Sequence, residues 1–242
     1  MNAQIWPFDN ANALYYALID ALAKVIQPIV AEGRDPVLAL PTGNTMIPFY
    51  RIAADSEELL KTAHWRAFNL DEYFPITPKN RGESFRNFMK ANFYSRLSQP
   101  VRSMQFLNGS THDPFGECLT YEEKLKHAGG IDICILGLGV NGHIAFNEPG
   151  SEFDSRTRIV ELHPQTLMAN FQARAPISHA LTMGIGTIMS SRKIFVIAHG
   201  KNKANAVKAA LTEVASRTMP ATILKSHPDV IWFLDQEASS LI

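Results

Sequence analysis

Residues 131–150 carry the densest set of side chains that could do chemistry. They read IDICILGLGVNGHIAFNEPG and begin as an almost continuous apolar run, typical of a strand buried on both faces. Glycines at positions 137, 139 and 142 then let the backbone turn and a ligand approach. His143 and Glu148 follow directly. An imidazole and a carboxylate just past the carboxyl end of a core strand predict a catalytic loop.

Two other interpretations of this stretch stay open. The spacing Gly137-x-Gly139-x-x-Gly142 matches the dinucleotide fingerprint, and Glu161 lies about twenty residues further on. That fingerprint needs a helix opening on its last glycine, and Pro149 leaves little room for one. Alternatively, the stretch is a structural turn whose polar side chains are merely solvated.

A second glycine turn follows the buried run Val37-Leu38-Ala39-Leu40. It reads Pro41-Thr42-Gly43-Asn44-Thr45, and a helix is predicted from Met46 to about Ala54. Free N–H groups at a helix start and the helix dipole favour an anion. No Lys follows the glycine, so this is not a nucleoside-triphosphate loop. The alternative is a simple capped turn.

Two further stretches carry charges at strand ends. Residues 65–70 predict a strand that ends in Asp71-Glu72, and neighbours in a strand face opposite sides, so only one carboxylate would face a site. The alternative is a pair of exposed edge charges. Lys203 lies in the HGKNK turn before a helix to about residue 215, where lysines oppose the helix dipole unless an anion sits there. The alternative is an ordinary basic turn.

Strands and helices alternate along the rest of the chain. Helices are predicted from Asp9 or Asn10 to about 32, from Ser84 to about 97 with its phenylalanines 85, 88 and 93 in the core, from Asp113-Pro114 to about 129, and over 164–174; strands are predicted over 104–107, 159–162, 180–183, 193–198 and 231–234. This alternation predicts a doubly wound α/β fold with a mainly parallel sheet and right-handed crossovers, as a single domain over residues 1–242. The strand order cannot be read from the sequence.

Composition excludes several classes of partner. The 242 residues contain 23 basic and 23 acidic side chains, so the net charge of zero argues against nucleic acid or a membrane surface. The two cysteines form no disulfide framework, the N-terminus lacks a signal-peptide pattern, and no apolar stretch approaches the length of a membrane span. A cytoplasmic protein is expected. The absence of heptads leaves the oligomeric state open, a homo-oligomer included.

Three stretches together resemble one family: LPTGNT at 40–45, FNLDEY at 68–73, and 136–150 with its GHIAFNEPG core. This combination resembles the glucosamine-6-phosphate deaminases, also called glucosamine-6-phosphate isomerases. The resemblance implies a Rossmann-like three-layer α/β/α sandwich. It also implies conversion of a hexosamine 6-phosphate to fructose 6-phosphate and ammonia, with no metal or organic cofactor.

Carried over by motif position, the resemblance assigns roles to individual residues. Asp71 would move a proton from C2 to C1, and His143 would move a proton during ring opening, oriented by Glu148. Asn141, which is Asp in some members, still hydrogen-bonds an imidazole but carries no charge. The phosphate would be held by Thr42, Gly43, Asn44 and Thr45, with Lys203 and Arg174.

The sequence departs from the family pattern in two places. Gln172 stands where members often have a phosphate-binding Arg, and Arg174 follows two residues later. Either Arg174 replaces that arginine after a local shift, or the site lacks this contact. Val160-Glu161 stands where regulated members have Lys-Thr, so no allosteric activation is expected. Competing hypotheses are galactosamine-6-phosphate deamination, 6-phosphogluconolactone hydrolysis, and a non-catalytic sugar-phosphate-binding regulator.

Overall fold

The computed structural model describes residues 4–56, 65–98, 100–163, 166–167 and 177–242. These residues contain ten strands: β1 (Gln4–Phe8), β2 (Val37–Leu40), β3 (Arg66–Asn69), β4 (Asp71–Phe74), β5 (Ser103–Gln105), β6 (Ile133–Gly137), β7 (Arg158–Glu161), β8 (His179–Thr182), β9 (Lys193–Ala198) and β10 (Val230–Asp235). Seven strands form a central sheet in the order β1-β10-β9-β6-β2-β3-β5, and every neighbouring pair is parallel. The predicted mainly parallel sheet is confirmed.

Helices cover both faces of this sheet. In β2, Val37 and Ala39 face one core while Leu38 and Leu40 face the other, which explains the unbroken apolar run. The helices are α1 (Ala11–Ala31), α2 (Ile47–Asp55), α3 (Phe85–Asn92), α4 (Pro114–His127), α5 (Ile185–Met189) and α6 (Ala204–Thr212). The first three pack with Leu38 and Leu40, and the last three with Val37 and Ala39. The predicted three-layer sandwich is confirmed.

Two helix starts follow their local signals. The Asn10 side chain accepts a hydrogen bond from the Ala13 N–H at 3.0 Å where α1 begins, and the Asp113 side chain accepts one from the Gly116 N–H at 2.9 Å where α4 begins. α3 begins after Ser84 as predicted, but it ends at Asn92, and a short 3₁₀ turn follows.

The strand order creates a crevice at the carboxyl ends of β2 and β6. From β1 through β2 and β3 to β5 the chain moves towards one edge of the sheet, with its helices on one face. From β6 through β9 to β10 it moves the other way, with its helices on the opposite face. The order therefore reverses between β2 and β6, which is where doubly wound sheets bind ligands.

A second, smaller sheet was not predicted. β4, β8 and β7 pair antiparallel, with Asp71 opposite Thr182 and Glu72 opposite Leu181. Asp71 and Glu72 thus begin a new strand instead of ending β3. Only Leu70 separates the two strands, so the chain passes directly from one sheet to the other.

α1 corrects one expectation. Among the helices of the described residues, this one is long and apolar enough to cross a membrane, whereas no apolar stretch of that length was expected. Its residues Leu14, Leu18, Leu22 and Ile26 are nevertheless buried in the core against the central sheet. This is the packing of a core helix.

Candidate active site

A pocket of about 870 Å³ lies at the carboxyl ends of β2, β6 and β9. Its walls come from residues 41–46, 70–73, 82–92, 137–146 and 197–203. These segments are far apart in the sequence. Four of them lie at the carboxyl ends of β9, β6, β2 and β3, which are consecutive neighbours in the central sheet, and the fifth, residues 82–92, contains α3. The site therefore depends on strand order, which the sequence did not reveal.

Most of the predicted site residues line this pocket: Thr42, Gly43, Asn44, Thr45, Asp71, Asn141, His143 and Lys203. Glu148 lies behind His143, with its Oε2 at 3.5 Å from the imidazole Nδ1. Arg174, Gln172 and the predicted helix over 164–174 fall largely or wholly outside the described residues. Within the described residues no three His, Cys, Asp or Glu side chains converge as metal ligands.

A tight loop after β6 holds His143 at the pocket. The Gly139 N–H donates to the His143 carbonyl at 2.9 Å and closes the loop. A Cβ at position 139 would lie 2.4 Å from the imidazole Nδ1, so this position has room only for glycine. Residues 138–157 contain no helix, and the dinucleotide fingerprint therefore lacks the helix it requires.

Asn141 bridges His143 and Glu148. Its Nδ2 donates to Glu148 Oε2 at 2.7 Å, and its Oδ1 lies 2.7 Å from His143 Nδ1. Because the carboxylate accepts from the amide nitrogen, the amide oxygen must face the imidazole, and Nδ1 carries the proton. A neutral His143 then has its lone pair on Nε2, the nitrogen available as a base.

Glu148 is held in its charged form. The Thr166 hydroxyl donates to its Oε1 at 2.7 Å, opposite the bond from Asn141. Burial by itself raises the pKa of Glu148, but the hydrogen bond and charge of His143, with the bonds from Thr166 and Asn141, outweigh burial and lower it to about 2. The negative charge of Glu148 lies 3.5 Å from His143 Nδ1, and Asn141 links the two side chains by hydrogen bonds.

Asp71 is a buried carboxylate at the start of β4. It is 6% exposed, and its Oδ1 has no hydrogen-bond partner within the described part of the chain. The pKa of Asp71 is raised to about 8, mainly by burial and to a smaller extent by the charge of Glu72. A hydrogen bond from Thr42 lowers the pKa and only partly offsets these two effects. A carboxyl group perturbed in this way and facing a pocket is a candidate acid–base group.

The Glu72 side chain faces the start of α3 instead of the pocket, and it stabilises that helix. It is 2% exposed and accepts hydrogen bonds from the Ser84 hydroxyl at 2.7 Å and from the Phe85 and Arg86 N–H groups at 2.8 and 3.0 Å. It therefore caps α3 in place of Ser84. The interpretation of Asp71 and Glu72 as exposed edge charges is wrong, because both are buried between packed elements.

Residues 41–45, hereafter the anion turn, join β2 to the helix that leads into α2. Gly43 has φ 107°, in the left-handed region that favours glycine, and a 3₁₀ turn over Asn44–Met46 follows. Within the described residues, the N–H groups of 42–45 donate to no other group. A row of free N–H groups at a helix start is suited to an anion.

The turn before α6 resembles the anion turn but is already filled. Gly200 has φ 87°, and its N–H donates to the Asp235 carboxylate at 3.0 Å, while the Lys201 N–H donates to Glu237 at 3.2 Å. The carboxylates of Asp235 and Glu237 thus place negative charge at this helix start, which offsets the unfavourable interaction of the lysines with the helix dipole. Lys203 alone of these residues lines the pocket, and burial lowers the pKa of its amine.

Similarity to known proteins identifies the family. Residues 9–232 match the family described as glucosamine-6-phosphate isomerases/6-phosphogluconolactonase. The chain belongs to this family. It is 38% identical over 234 residues to a glucosamine-6-phosphate deaminase of Alkaliphilus oremlandii, the alignment covering 94% of this chain and 97% of that protein. The corresponding protein of Thermoanaerobacter pseudethanolicus is 37% identical, with 94% and 92% covered.

Solved structures agree with this family assignment. A monomeric glucosamine-6-phosphate deaminase superposes with a TM-score of 0.88 at 34% identity, covering 99% of this chain and 100% of that one. The 6-phosphogluconolactonase of Trypanosoma brucei has a TM-score of 0.75 at 20% identity, covers 99% of this chain and 98% of its own, and shares the fold. The resemblance inferred from the three motifs is therefore confirmed.

Part of the pocket wall in this family member was missed from sequence. Phe85 and Phe88 were assigned to the core, yet both line the pocket, and Phe85 stacks on Phe146 with ring centroids 5.9 Å apart. An amphipathic pattern does not distinguish a helix face that packs in the core from one that lines a pocket, because both faces consist of apolar side chains. Thr166, which also lines the pocket, had no signal in the sequence.

Proposed function

We propose that this protein is a glucosamine-6-phosphate deaminase, which converts glucosamine 6-phosphate and water to fructose 6-phosphate and ammonia. Support comes from relatives of that name at 37–38% identity over more than nine-tenths of the chain. The observation that carries the proposal is the pocket itself. A buried carboxylate from β4 and an imidazole from the loop after β6 share it with an anion turn.

The substrate's phosphoryl group is assigned to the anion turn. The N–H groups of Thr42, Gly43, Asn44 and Thr45 would donate to its oxygens, and the Lys203 amine would add a positive charge from β9's side of the pocket. Arg174 is proposed as a further contact that replaces the arginine absent at Gln172. Binding this remote end would hold C2 against Asp71.

Ring opening is assigned to His143. With its Nδ1–H held by Asn141, Nε2 takes the proton of the 1-hydroxyl group and delivers a proton to the ring oxygen. The C1–O5 bond breaks, and the open-chain aldehyde forms. Glu148 stabilises the transient imidazolium through Asn141, as a carboxylate does in a catalytic triad.

Isomerisation is assigned to Asp71. Its carboxylate takes the proton from C2, which gives an enolamine, and returns a proton to C1. The resulting C2 imine adds water and loses ammonia, which leaves the ketone of fructose 6-phosphate. A positioned general base of this kind contributes ~10²–10⁴-fold to the rate. Burial makes Asp71 a stronger base, once ionised, than an exposed carboxylate.

The proposal extends to the cellular setting, the domain organisation, the cofactor requirement and the oligomeric state. We place the reaction in cytoplasmic amino-sugar catabolism, including N-acetylglucosamine degradation, with a single domain over residues 1–242. We also propose that no metal or organic cofactor takes part. Light scattering on the purified chain would distinguish a homo-oligomer from a monomer, the state named for the structural relative.

Ammonia release tests the assignment. The folded protein is supplied in turn with glucosamine 6-phosphate, galactosamine 6-phosphate and 6-phosphogluconolactone, the last assayed by acid production. Ammonia from the glucosamine ester, at a higher kcat/KM than from the galactosamine ester, is expected. Preference for the galactosamine ester would change the substrate, lactone hydrolysis alone would change the reaction class, and no turnover would favour a sugar-phosphate-binding regulator.

A further inference from the structure

Two buried tyrosine hydroxyl groups hold the anion turn at its two ends. Tyr50 donates to the Pro41 carbonyl and Tyr15 donates to the Thr45 carbonyl. Their side chains are 0% and 1% exposed, and neither lines the pocket. Both therefore contact the turn from within the protein, without reaching a ligand.

These contacts set the direction of the turn's peptide groups. In a trans peptide the C=O and the following N–H point in opposite directions, so a Pro41 carbonyl directed at Tyr50 turns the Thr42 N–H away from Tyr50. At the other end, Pro48 has no N–H and cannot donate to the Thr45 carbonyl in the i to i+3 register of the 3₁₀ turn. Tyr15 supplies a donor there.

The turn before α6, whose N–H groups are already hydrogen-bonded, provides a comparison for the effect of the two tyrosine contacts. Its backbone has the same plan, a positive-φ glycine, a 3₁₀ turn and a helix, but its N–H groups are taken by Asp235 and Glu237. The anion turn keeps its N–H groups open while its end carbonyls are fixed. The Tyr15 ring also lies edge-on to His199, with centroids 6.1 Å apart, and so joins the two turns.

We propose that Tyr15 and Tyr50 are positioning residues for the substrate's phosphoryl group, acting through the carbonyls of Thr45 and Pro41. This inference rests on the proposed function, since it takes the anion at residues 41–45 to be that phosphoryl group. Without either hydroxyl, the buried Pro41 carbonyl or the partly buried Thr45 carbonyl loses this partner and its peptide group is free to rotate, which misdirects the N–H groups.

Tyr15→Phe and Tyr50→Phe test this inference. The dissociation constant of inorganic phosphate is measured by calorimetry and the KM for glucosamine 6-phosphate by ammonia release. Each substitution is expected to raise both constants on the order of tenfold, the equivalent of about one hydrogen bond. Tyr121→Phe is the matched control, because its 0% exposed hydroxyl donates to the Asn69 carbonyl at 2.7 Å, outside the anion turn. It should leave phosphate binding unchanged.

The outcomes separate this inference from the proposed function. Phosphate binding that is unchanged in both variants, or weakened equally by Tyr121→Phe, overturns the positioning role while the enzyme assignment stands. Wild-type protein that binds phosphate but releases no ammonia from either amino sugar defeats the assignment alone. Wild-type protein that releases ammonia but binds no phosphate overturns the inference alone, and wild-type protein that does neither defeats both.

A measurement on the wild-type protein covers the case in which a variant does not fold. Amide hydrogen exchange at residues 42–45 should be fast and should slow when inorganic phosphate is added. Exchange at Gly200 and Lys201 should be slow from the start, because carboxylates already hold these N–H groups. Slow, phosphate-insensitive exchange at 42–45 would show that the turn is not held open, and would overturn the inference.

Discussion

Asp71→Asn removes the proposed base while keeping its shape, and we expect it to stabilise the fold as it abolishes the activity. The wild-type side chain is 6% exposed, and its Oδ1 lacks a partner among the described residues. Burial, with the charge of Glu72, raises its pKa from 3.8 to about 8. The folded protein therefore disfavours the ionised form that catalysis requires, and Asn has no charge to disfavour.

The sign and size of the effect follow from proton linkage. Below pH 3.8 the folded and unfolded chains both hold the Asp71 proton, and no destabilisation arises. Between pH 3.8 and about 8 only the unfolded chain releases it, so the free energy of unfolding falls as the pH rises. The full difference is on the order of 6 kcal/mol, at about 1.4 kcal/mol per pKa unit. A buried, unpaired Asn amide costs about 1–3 kcal/mol at every pH, so the pH dependence is the diagnostic quantity.

Urea unfolding followed by circular dichroism measures this effect. Between about pH 5 and about pH 8, wild-type protein should lose roughly 4 kcal/mol more stability than Asp71→Asn. Asp113→Asn is the matched control, because Asp113 is an exposed helix N-cap for which Asn is an equally good residue. Ammonia release by Asp71→Asn should fall at least ~10²-fold, while the inorganic phosphate affinity stays unchanged.

Two results would refute this reasoning. If the two proteins changed stability in parallel with pH, Asp71 would not be disfavoured as a charged group in the folded state. If the variant retained more than a few per cent of the wild-type rate, another group would have to act as the base.

Four further expectations concern the pH profile, Glu148, His143 and the shape of the rate curve. The wild-type kcat/KM for ammonia release should decrease as the pH is lowered below about 8, because Asp71 takes up its proton. A flat pH profile down to about pH 6 would argue against Asp71 as the base. Glu148, with its pKa lowered from 4.5 to about 2, stabilises the fold above pH 4.5, and this stabilisation is lost as the pH falls towards 2. The shift corresponds to about 3.5 kcal/mol, and water screening of this partly exposed carboxylate reduces it. Glu148→Gln should therefore lower the free energy of unfolding by roughly 2 kcal/mol at about pH 7 and by much less at about pH 2, as measured in urea. His143→Gln should reduce the rate more with the closed pyranose than with a substrate already ring-opened, and equal losses would remove the ring-opening role. Because Val160-Glu161 in β7 replaces the Lys-Thr of regulated members, the rate should depend hyperbolically on substrate concentration. A sigmoidal dependence that becomes hyperbolic when an amino-sugar phosphate is added would contradict this.

Local structure was predictable wherever the determining contacts lie within a few residues. The Asn10 and Asp113 side chains accept hydrogen bonds from N–H groups three residues further on and so cap α1 and α4. The apolar runs at 37–40 and 133–137 form strands because both faces of the central sheet are covered. The chemistry-bearing residues could also be named from their types and from the family motifs. His143 and Glu148 share one short loop, so their proximity is a property of that loop.

The tertiary structure decided which of these residues meet. Asp71 and Glu72 are adjacent carboxylates, and only packing shows that one faces the pocket while the other caps α3. The likeness of the two glycine turns is visible in the sequence, but Asp235 fills one of them from the end of β10. The contacts of the Tyr15 and Tyr50 hydroxyls with the anion turn are likewise visible only in the folded chain. The contacts of Asp235 with Gly200 and of Tyr15 with Thr45 join residues 35 and 30 positions apart, and strand order, which no local pattern encodes, brings them together.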